Sequence, residues 1–513
     1  MLLLLGAILA LTCLYWYLTR THDHWAKQKN VPTLPGCWPG VGHMLPSLLM
    51  RESLDYLADR AYREAPGQDA SAVGIYFMRK PMLVLRHPDL VKQVLQSDFA
   101  SFHYNGRQIN PKADAILAKN PFFIHDMQAW RESRARVVGH LSGKKLSCLF
   151  AIARNVCEKM TAFIERRLAE SKVQEYEAEL KKLFVRYTGE MVANSAFEVE
   201  GRCFADEREP GSFHAVAEGL FEPSLANVVK QAVVFFLPEL AGFADVRFLP
   251  RSAEDFFRET LLSILRHRRE QPARKPDDFL QFVLDTNDED DIESIVADLL
   301  IYHTDVYETS SLTLAFFVYQ LARNPEEQAK IRRHVRDASG GQPITYESLK
   351  AMGYLEQAVY ESLRLIAPTP ALYKRCSRET TLRGEDGAEL CRLRPGDGVL
   401  IPVQALQNDS RYWSEPEAFR PDRFGPEQQL AGERNRYQMF LAFGEGPRMC
   451  VGMRLGLMLV KLAAAQLLLR YRLAPSAKSP WPLEMDRTSF LAYAKGGVWA
   501  TFRRLEEEEE EAA

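Results

Sequence analysis

Between residues 440 and 456 the chain reads FLAFGEGPRMCVGMRLG, a loop carrying one cysteine, Cys450, among Gly444, Gly446 and Gly452. The apolar run MRLGLMLVKLAAAQLLL follows without a break. Glycines permit a tight loop whose amides point at a sulfur, and hydrogen bonds of that kind tune a metal-bound thiolate. The helical run behind the loop puts Cys450 near a helix N-terminus, where the positive end of the backbone dipole favours the thiolate. From these residues, three roles stay open for Cys450: nucleophile, buried apolar filler or metal ligand.

The rest of the chain narrows the class. With 513 residues, 46% hydrophobic and 26% charged, it is a globular composition large enough for a sizeable core. Lys and Arg number 65 against 68 Asp and Glu, a net charge of -3, so no overall positive field exists for gripping nucleic acid. Eight cysteines are scattered without a CxxC pair, which excludes a zinc finger and a dense disulfide framework.

Residues 2–18, LLLLGAILALTCLYWYL, are uncharged and end on Tyr15, Trp16 and Tyr17. No basic stretch precedes them, so they read as an uncleaved transmembrane anchor over 1–19 rather than a signal peptide. Arg20, Lys27 and Lys29 follow, and the positive-inside rule then keeps the body cytoplasmic. Pro32, Pro35 and Pro39 with Gly36, Gly40 and Gly42 predict a stiff elbow over 20–46. Gly40 and Gly42 lack the third glycine or GK[ST] of a phosphate loop. Apolar spacing predicts helix at 257–271 and from Ile292 to Arg336, and short strands at 82–89 and 397–407. The fold class is therefore mainly α with small β-sheets, one body over 47–504. Six glutamates at 506–511 mark 505–513 as a solvated acidic tail.

Phe443-x-x-Gly446-x-Arg448-x-Cys450-x-Gly452 resembles, position for position, the haem-binding signature of the haem-thiolate monooxygenases, the cytochrome P-450 family. Further landmarks occur in the family's order. Glu361-Ser362-Leu363-Arg364 resembles its ExxR motif, and FRPDRF at 419–424 supplies Arg423 to that pair. Trp130-Arg131-Glu132-Ser133-Arg134 resembles the segment whose Trp and Arg bind a haem propionate, and Arg375 stands where another propionate arginine is expected. Anchor and elbow are those of microsomal eukaryotic members. The resemblance implies haem b with its iron on the Cys450 thiolate, and Trp130, Arg134, Arg375, Phe443 and Arg448 around the cofactor. It implies a buried structural network of Glu361, Arg364 and Arg423. Glu308 and Thr309 take the place of the acid and alcohol that relay protons to dioxygen. By itself, a mid-helix threonine returns its hydroxyl to the carbonyl one turn back.

The same resemblance places Phe122, Phe123, Ile301, Asp305, Thr369 and Leu372 in a substrate pocket, with Phe490 and Leu491 nearby. It implies a lipophilic substrate such as a steroid, fatty acid or foreign compound, at an endoplasmic reticulum membrane crossed once. NADPH acts indirectly through a flavoprotein reductase, with cytochrome b5 as a second donor. Arg131, Arg136, Lys144, Lys145, Arg434 and Arg436 form a candidate basic face for the reductase. Asn408-Asp409-Ser410 matches a glycosylation sequon, which stays unmodified in the cytosol.

One departure stands out. Members usually have a small residue and then glycine ahead of the acid and alcohol, opening the helix locally; this chain has Asp305 and Val306. Val306 lacks glycine's backbone freedom. Asp305, one turn before Thr309, shares its helical face, and a carboxylate buried there needs a partner, a proton or a cationic substrate group. Three readings are open on this pattern: a reductase-dependent monooxygenase, a haem-thiolate peroxide isomerase or dehydratase needing no reductase, and a non-catalytic haem- or lipid-binding protein.

Overall fold

The apolar N-terminal run forms α1 (Leu2–Thr19), in a computed structural model that describes residues 2–28, 30–67, 70–141, 143–206, 213–216, 224–270, 279–286, 291–384, 386–426 and 439–505. Among the described residues no helix is long and apolar enough to cross a membrane. At 18 residues, α1 extends about 27 Å, against a hydrocarbon core of roughly 30 Å. The helix expected to span a bilayer is thus a few ångströms short of doing so upright. Its Leu4, Ile8, Leu11 and Trp16 are exposed, and Arg20 and Arg79 lie over the Tyr17 ring at 5.0 and 4.0 Å.

The proline-glycine segment is stitched to the body rather than standing off as a spacer. Leu34 N–H donates to the Gly74 carbonyl (3.0 Å), and Gly74 N–H donates to Pro32 (2.8 Å). Trp25 is fully buried and its indole N–H donates to the Ile75 carbonyl at 3.0 Å. Gly42 has φ +66°, and a Cβ there would collide with the Tyr76 carbonyl, so only glycine closes this contact.

The strands are β1 (Ala72–Phe77), β2 (Lys80–Leu85), β3 (Tyr104–Asn105), β4 (Glu175–Glu179), β5 (Leu372–Arg375), β6 (Thr380–Arg383), β7 (Glu389–Leu393), β8 (Gly398–Ile401), β9 (Tyr471–Pro475), β10 (Met485–Asp486), β11 (Tyr493–Ala494) and β12 (Trp499–Arg504). One sheet has the order β1-β2-β8-β5-β3, with β2 and β8 parallel and the other pairs antiparallel. Small antiparallel sheets β4-β12-β9, β6-β7 and β10-β11 complete the set. The strand expected at 397–407 stops at Ile401: Pro402 cannot donate to the ladder, and Val403–Gln407 turn helical.

The main helices are α2 (Leu54–Arg63), α3 (Met127–His140), α4 (Gly143–Glu170), α5 (Leu180–Ala196), α6 (Leu225–Phe236), α7 (Arg251–Glu270), α8 (Ile292–Arg323), α9 (Pro325–Ser339), α10 (Gly353–Leu365) and α11 (Met453–Leu468). The stretch expected to be helical from Ile292 to Arg336 is two helices. Pro325 lacks the N–H that would continue α8 and starts α9 at its first position. With 32 residues, α8 is about 48 Å long. It is buried on all sides from Leu314 to Ala322, so it runs through the middle of the core and packs against α5, α10 and α11. Asp291 caps its start, accepting from Ser294 N–H at 3.0 Å.

On α10, Glu361 and Arg364 are both fully buried and paired at 2.7 Å, and Arg423 adds a second cation to Glu361 at 3.1 Å. Arg364 also donates to the carbonyls of Gln407 (2.9 Å) and Pro416 (2.8 Å). Gln407 in turn accepts from Leu441 N–H at 2.7 Å, which ties the network to the loop leading to Cys450. The amide of Asn408, first residue of the sequon, is engaged with the Arg364, Leu365 and Gln404 carbonyls. Taking Glu361 away leaves buried guanidinium charge uncompensated, an effect of about 3–5 kcal/mol. Glu361→Ala is therefore expected to lower the thermal midpoint sharply and to reduce haem retention, checked by circular-dichroism melting and by the haem-to-protein absorbance ratio.

Candidate active site

A cavity of about 400 Å³ lies between α3, the middle of α8, the Cys450 loop and the 368–374 segment. Its wall holds Phe122, Phe123, Ile301, Asp305, Thr369 and Leu372, together with Phe490 and Leu491. Trp130, Arg134, Glu308, Thr309, Phe443, Arg448 and Cys450 line the same space. Of the residues expected around cofactor and substrate, Arg375 is the exception.

The Cys450 loop is built by its backbone. Cys450 N–H donates to the Phe443 carbonyl at 2.7 Å, Gly444 N–H to Leu441 at 2.8 Å, and Met449 N–H to Gly446 at 3.0 Å. Gly446 sits at φ +73° with its α-carbon against the Leu95 carbonyl, where a Cβ would clash. The loop thereby presents the sulfur to the cavity at the start of α11. Burial, with the charge of Asp305 added, pushes the Cys450 thiol up to about 11, outweighing the amides of Gly452 and Met453 and the charge of Arg134, which favour the thiolate. The helix end does not ionise this sulfur unaided. A cation bound at the sulfur would favour the thiolate, and a haem iron is such a cation.

A second feature fits a haem: cations gathered against one side of the cavity. The Trp130 ring has the Arg448 guanidinium 4.6 Å and the Arg134 guanidinium 6.0 Å from its centroid. Arg448 donates to the Pro121 (2.9 Å) and Ile124 (2.7 Å) carbonyls, and its Nε has no partner among the described residues. Arg134 donates to the Met449 carbonyl at 2.8 Å. Burial holds Arg448 down to about 10, as expected of a cation waiting for carboxylates in a dry site.

Strand register decides the next cation. Successive residues of β5 point to opposite faces, and β3 pairs Asn105 with Lys374 and Tyr104 with Arg375. Lys374 is buried in the cavity wall and donates to Asn105 Oδ1 at 2.8 Å. Burial, aided by Arg448, pulls its ammonium down to about 7. Arg375 falls on the other face, in a separate cleft with Phe77, Gln108 and Phe236. The propionate role expected of Arg375 is therefore not supported by its position. The sequence signal was there, a two-residue period across a short strand, but nothing local sets which of two adjacent cations faces in.

On the distal helix, α8 is unbroken through Val306, as a β-branched residue in place of glycine predicts. Thr309 Oγ donates to the Asp305 carbonyl one turn back at 2.6 Å. Glu308 is fully buried, accepts from the Tyr493 hydroxyl and pairs with Lys181 of α5 at 3.0 Å. Asp305 opens onto the cavity while protein surrounds it. Asn120 Nδ2 donates to it at 3.2 Å and Thr304 Oγ at 3.3 Å. Burial pushes its carboxyl up to about 6, the Asn120 and Thr304 bonds resisting. Lys181 and Asn120 were invisible to motif reading, since both arrive from distant segments.

On the outer side of α3 and α4, Arg131, Arg136 and Lys144 are exposed, and Lys145 lies 3.8 Å from the Phe282 ring centroid. Arg434, Arg436 and the glutamate tail lie outside the described residues.

Residues 33–499 match the family model described as Cytochrome P-450. The chain is 31% identical over 509 residues to a protein named probable cytochrome P-450 28d1 of Drosophila melanogaster, with 98% of each chain covered. It is 30% identical to probable cytochrome P-450 28d2 of the same fly, over 95% of this chain and 96% of that one. With cytochrome P-450 6j1 of the cockroach Blattella germanica it shares 28% identity over 96% of each. A sulfur delivered by a glycine loop to a cavity walled by cations, an ExxR network beneath it and a match over nearly the whole length agree: the chain belongs to the cytochrome P-450 family, enzymes that hold haem on a cysteine thiolate.

Proposed function

We propose that this monooxygenase inserts one oxygen atom from dioxygen into a lipophilic substrate held in the 400 Å³ cavity, using electrons from NADPH passed on by a flavoprotein reductase. The observation that carries the reading is the shared cavity: Cys450 and the cations line one part of it, Thr309 and the apolar residues another. Bound haem supplies dioxygen activation, its thiolate ligand favouring O–O cleavage. Cys450 holds the iron; Trp130, Arg134, Arg448 and Lys374 hold the propionates through charge-assisted bonds.

Thr309 keeps its hydroxyl on the cavity side of α8 and positions water there, its proton directed at the Asp305 carbonyl. Glu308, joined to Lys181 and Tyr493, connects that face to α5 and passes protons inward. Phe122, Phe123, Ile301, Thr369 and Leu372 exclude water and shape the substrate site. A steroid, fatty acid or foreign compound of matching size is the substrate class this wall accepts.

Helix α1 anchors the body to the endoplasmic reticulum membrane, the body facing the cytoplasm. Its exposed leucines support this; a span short by a few ångströms is met by local thinning and by Arg20 reaching to the interface. Arg131, Arg136, Lys144 and Lys145 receive the reductase, with cytochrome b5 as an alternative donor. A second reading, a peroxide isomerase or dehydratase without reductase, is favoured by the unbroken α8 at Val306.

A reduced carbon-monoxide difference spectrum, followed by turnover with and without NADPH and reductase, tests these readings. A red-shifted thiolate-type band and strictly reductase-dependent product support the monooxygenase. Rearrangement or dehydration of a lipid hydroperoxide itself, with no reductase and no oxygen transferred to a second substrate, supports the isomerase, and a folded, haem-loaded protein without the band overturns both. Lys374→Met should release haem to apomyoglobin about ten- to a hundredfold faster, the loss of one or two bonds to charge, whereas Arg375→Met should change the rate little. Replacing Lys144 and Lys145 by Glu should slow reductase-supported turnover several-fold and spare a peroxide-driven reaction; equal loss of both would assign these lysines to the fold.

A further inference from the structure

Asp305 is a charged group facing the substrate cavity whose partners are both neutral. Asn120 and Thr304 donate at 3.2 and 3.3 Å, longer than the roughly 2.7–2.9 Å of a charge-assisted bond to an ammonium. No Lys, Arg or His lies within ion-pair distance of it among the described residues, in contrast to the Arg107–Asp55 (2.7 Å) and Lys181–Glu308 (3.0 Å) pairs at the same cavity. Asn120 is buried and its Oδ1 accepts from Phe122 N–H at 2.8 Å, so its Nδ2 is held on Asp305 and the carboxylate is fixed in place. Phe122, Phe123 and Phe490 line the same space, and π faces attract a cation stripped of water.

We propose that Asp305 determines specificity by seating the cationic nitrogen of a lipophilic amine in the substrate cavity. The proposal rests on reading this cavity as the substrate site of a haem-thiolate enzyme. A carboxylate enclosed by protein at the wall of a largely apolar cavity is costly unless a cation reaches it, and the ligand supplies that cation. Burial raises the Asp305 carboxyl, and a cationic nitrogen seated beside it favours the ionised form. The nitrogen is seated by charge, and the apolar remainder of the molecule fills the wall from Ile301 to Leu372.

The test uses the haem-loaded full chain and a matched pair of probes: benzyltrimethylammonium, whose quaternary nitrogen neither ligates iron nor loses a proton, and its neutral carbon isostere neopentylbenzene. Dissociation constants come from equilibrium dialysis for the unaltered protein, Asp305→Asn, Asp305→Ser and Asp305→Glu. The expected result is that preference for the cation over its isostere falls by at least about tenfold in Asp305→Asn and Asp305→Ser, as removal of a close charge in a site of low effective dielectric requires. Asp305→Glu should keep most of it. An unchanged preference in the Asn and Ser variants overturns the proposal, and so does an unaltered protein that binds the cation no better relative to its isostere than either variant does. Because dialysis reads binding, a missing thiolate-type carbon-monoxide band would sink the oxygenase reading separately, without altering this ratio.

Discussion

The buried carboxylate of Glu361 organises the half of the molecule on which the site depends. Two guanidinium groups, Arg364 and Arg423, converge on it, and a main-chain N–H from Arg420 reaches it at 3.0 Å. Each ion costs several kcal/mol to bury and is tolerated only with its partners in place. The arrangement is therefore all or none. Arg364 passes the constraint to Gln407, and Gln407 passes it to Leu441, nine residues before Cys450. A thiol that must meet an iron from a definite direction needs a loop that cannot drift, and this network with the Gly446–Leu95 contact supplies the rigidity.

Above that base the cavity is arranged by charge against burial. Burial acts in the same sense everywhere, disfavouring the charged form: Cys450 rises to about 11, Asp305 rises to about 6, Lys374 falls to about 7 and Arg448 to about 10. Such groups are what a doubly anionic cofactor with a cationic metal satisfies together. In the haem-loaded state proposed above, the iron would compensate the sulfur, and the propionates would compensate Lys374, Arg134 and Arg448. The charge of Asp305 acts across the cavity on Cys450, while its own hydrogen-bond partners, Asn120 and Thr304, are neutral.

Motif residues were legible where chemistry depends on short spacing. Phe443, Arg448 and Cys450 share one loop, Glu361 and Arg364 stand three apart on one helix, and Trp130 and Arg134 stand four apart on another; five of the seven line one cavity, and Glu361 pairs with Arg364. Glu308 and Thr309 were legible as a pair, but their partners were not. Lys181 reaches Glu308 across 127 positions, and Asn120 reaches Asp305 across 185. Boundaries set by proline were legible in principle, at Pro325 and Pro402, where apolar periodicity ran on past residues that cannot continue the element.

Local sequence by itself determined the mainly helical class, the loop that carries the sulfur and the family, because those rest on glycine conformation, helical spacing and a string of residues close in the chain. Tertiary structure decided which groups oppose one another. Of the adjacent cations Lys374 and Arg375, strand pairing turned Lys374 inward, since alternate residues of a strand face opposite sides and the register comes from β3 and β8. The Pro/Gly segment became an edge of the body because Gly74 and Tyr76 offered backbone partners. Asp305 became a neutral-partnered carboxylate because Asn120, not a lysine, arrived beside it. These outcomes depend on segments brought together from far along the chain, and no short-range pattern encodes them.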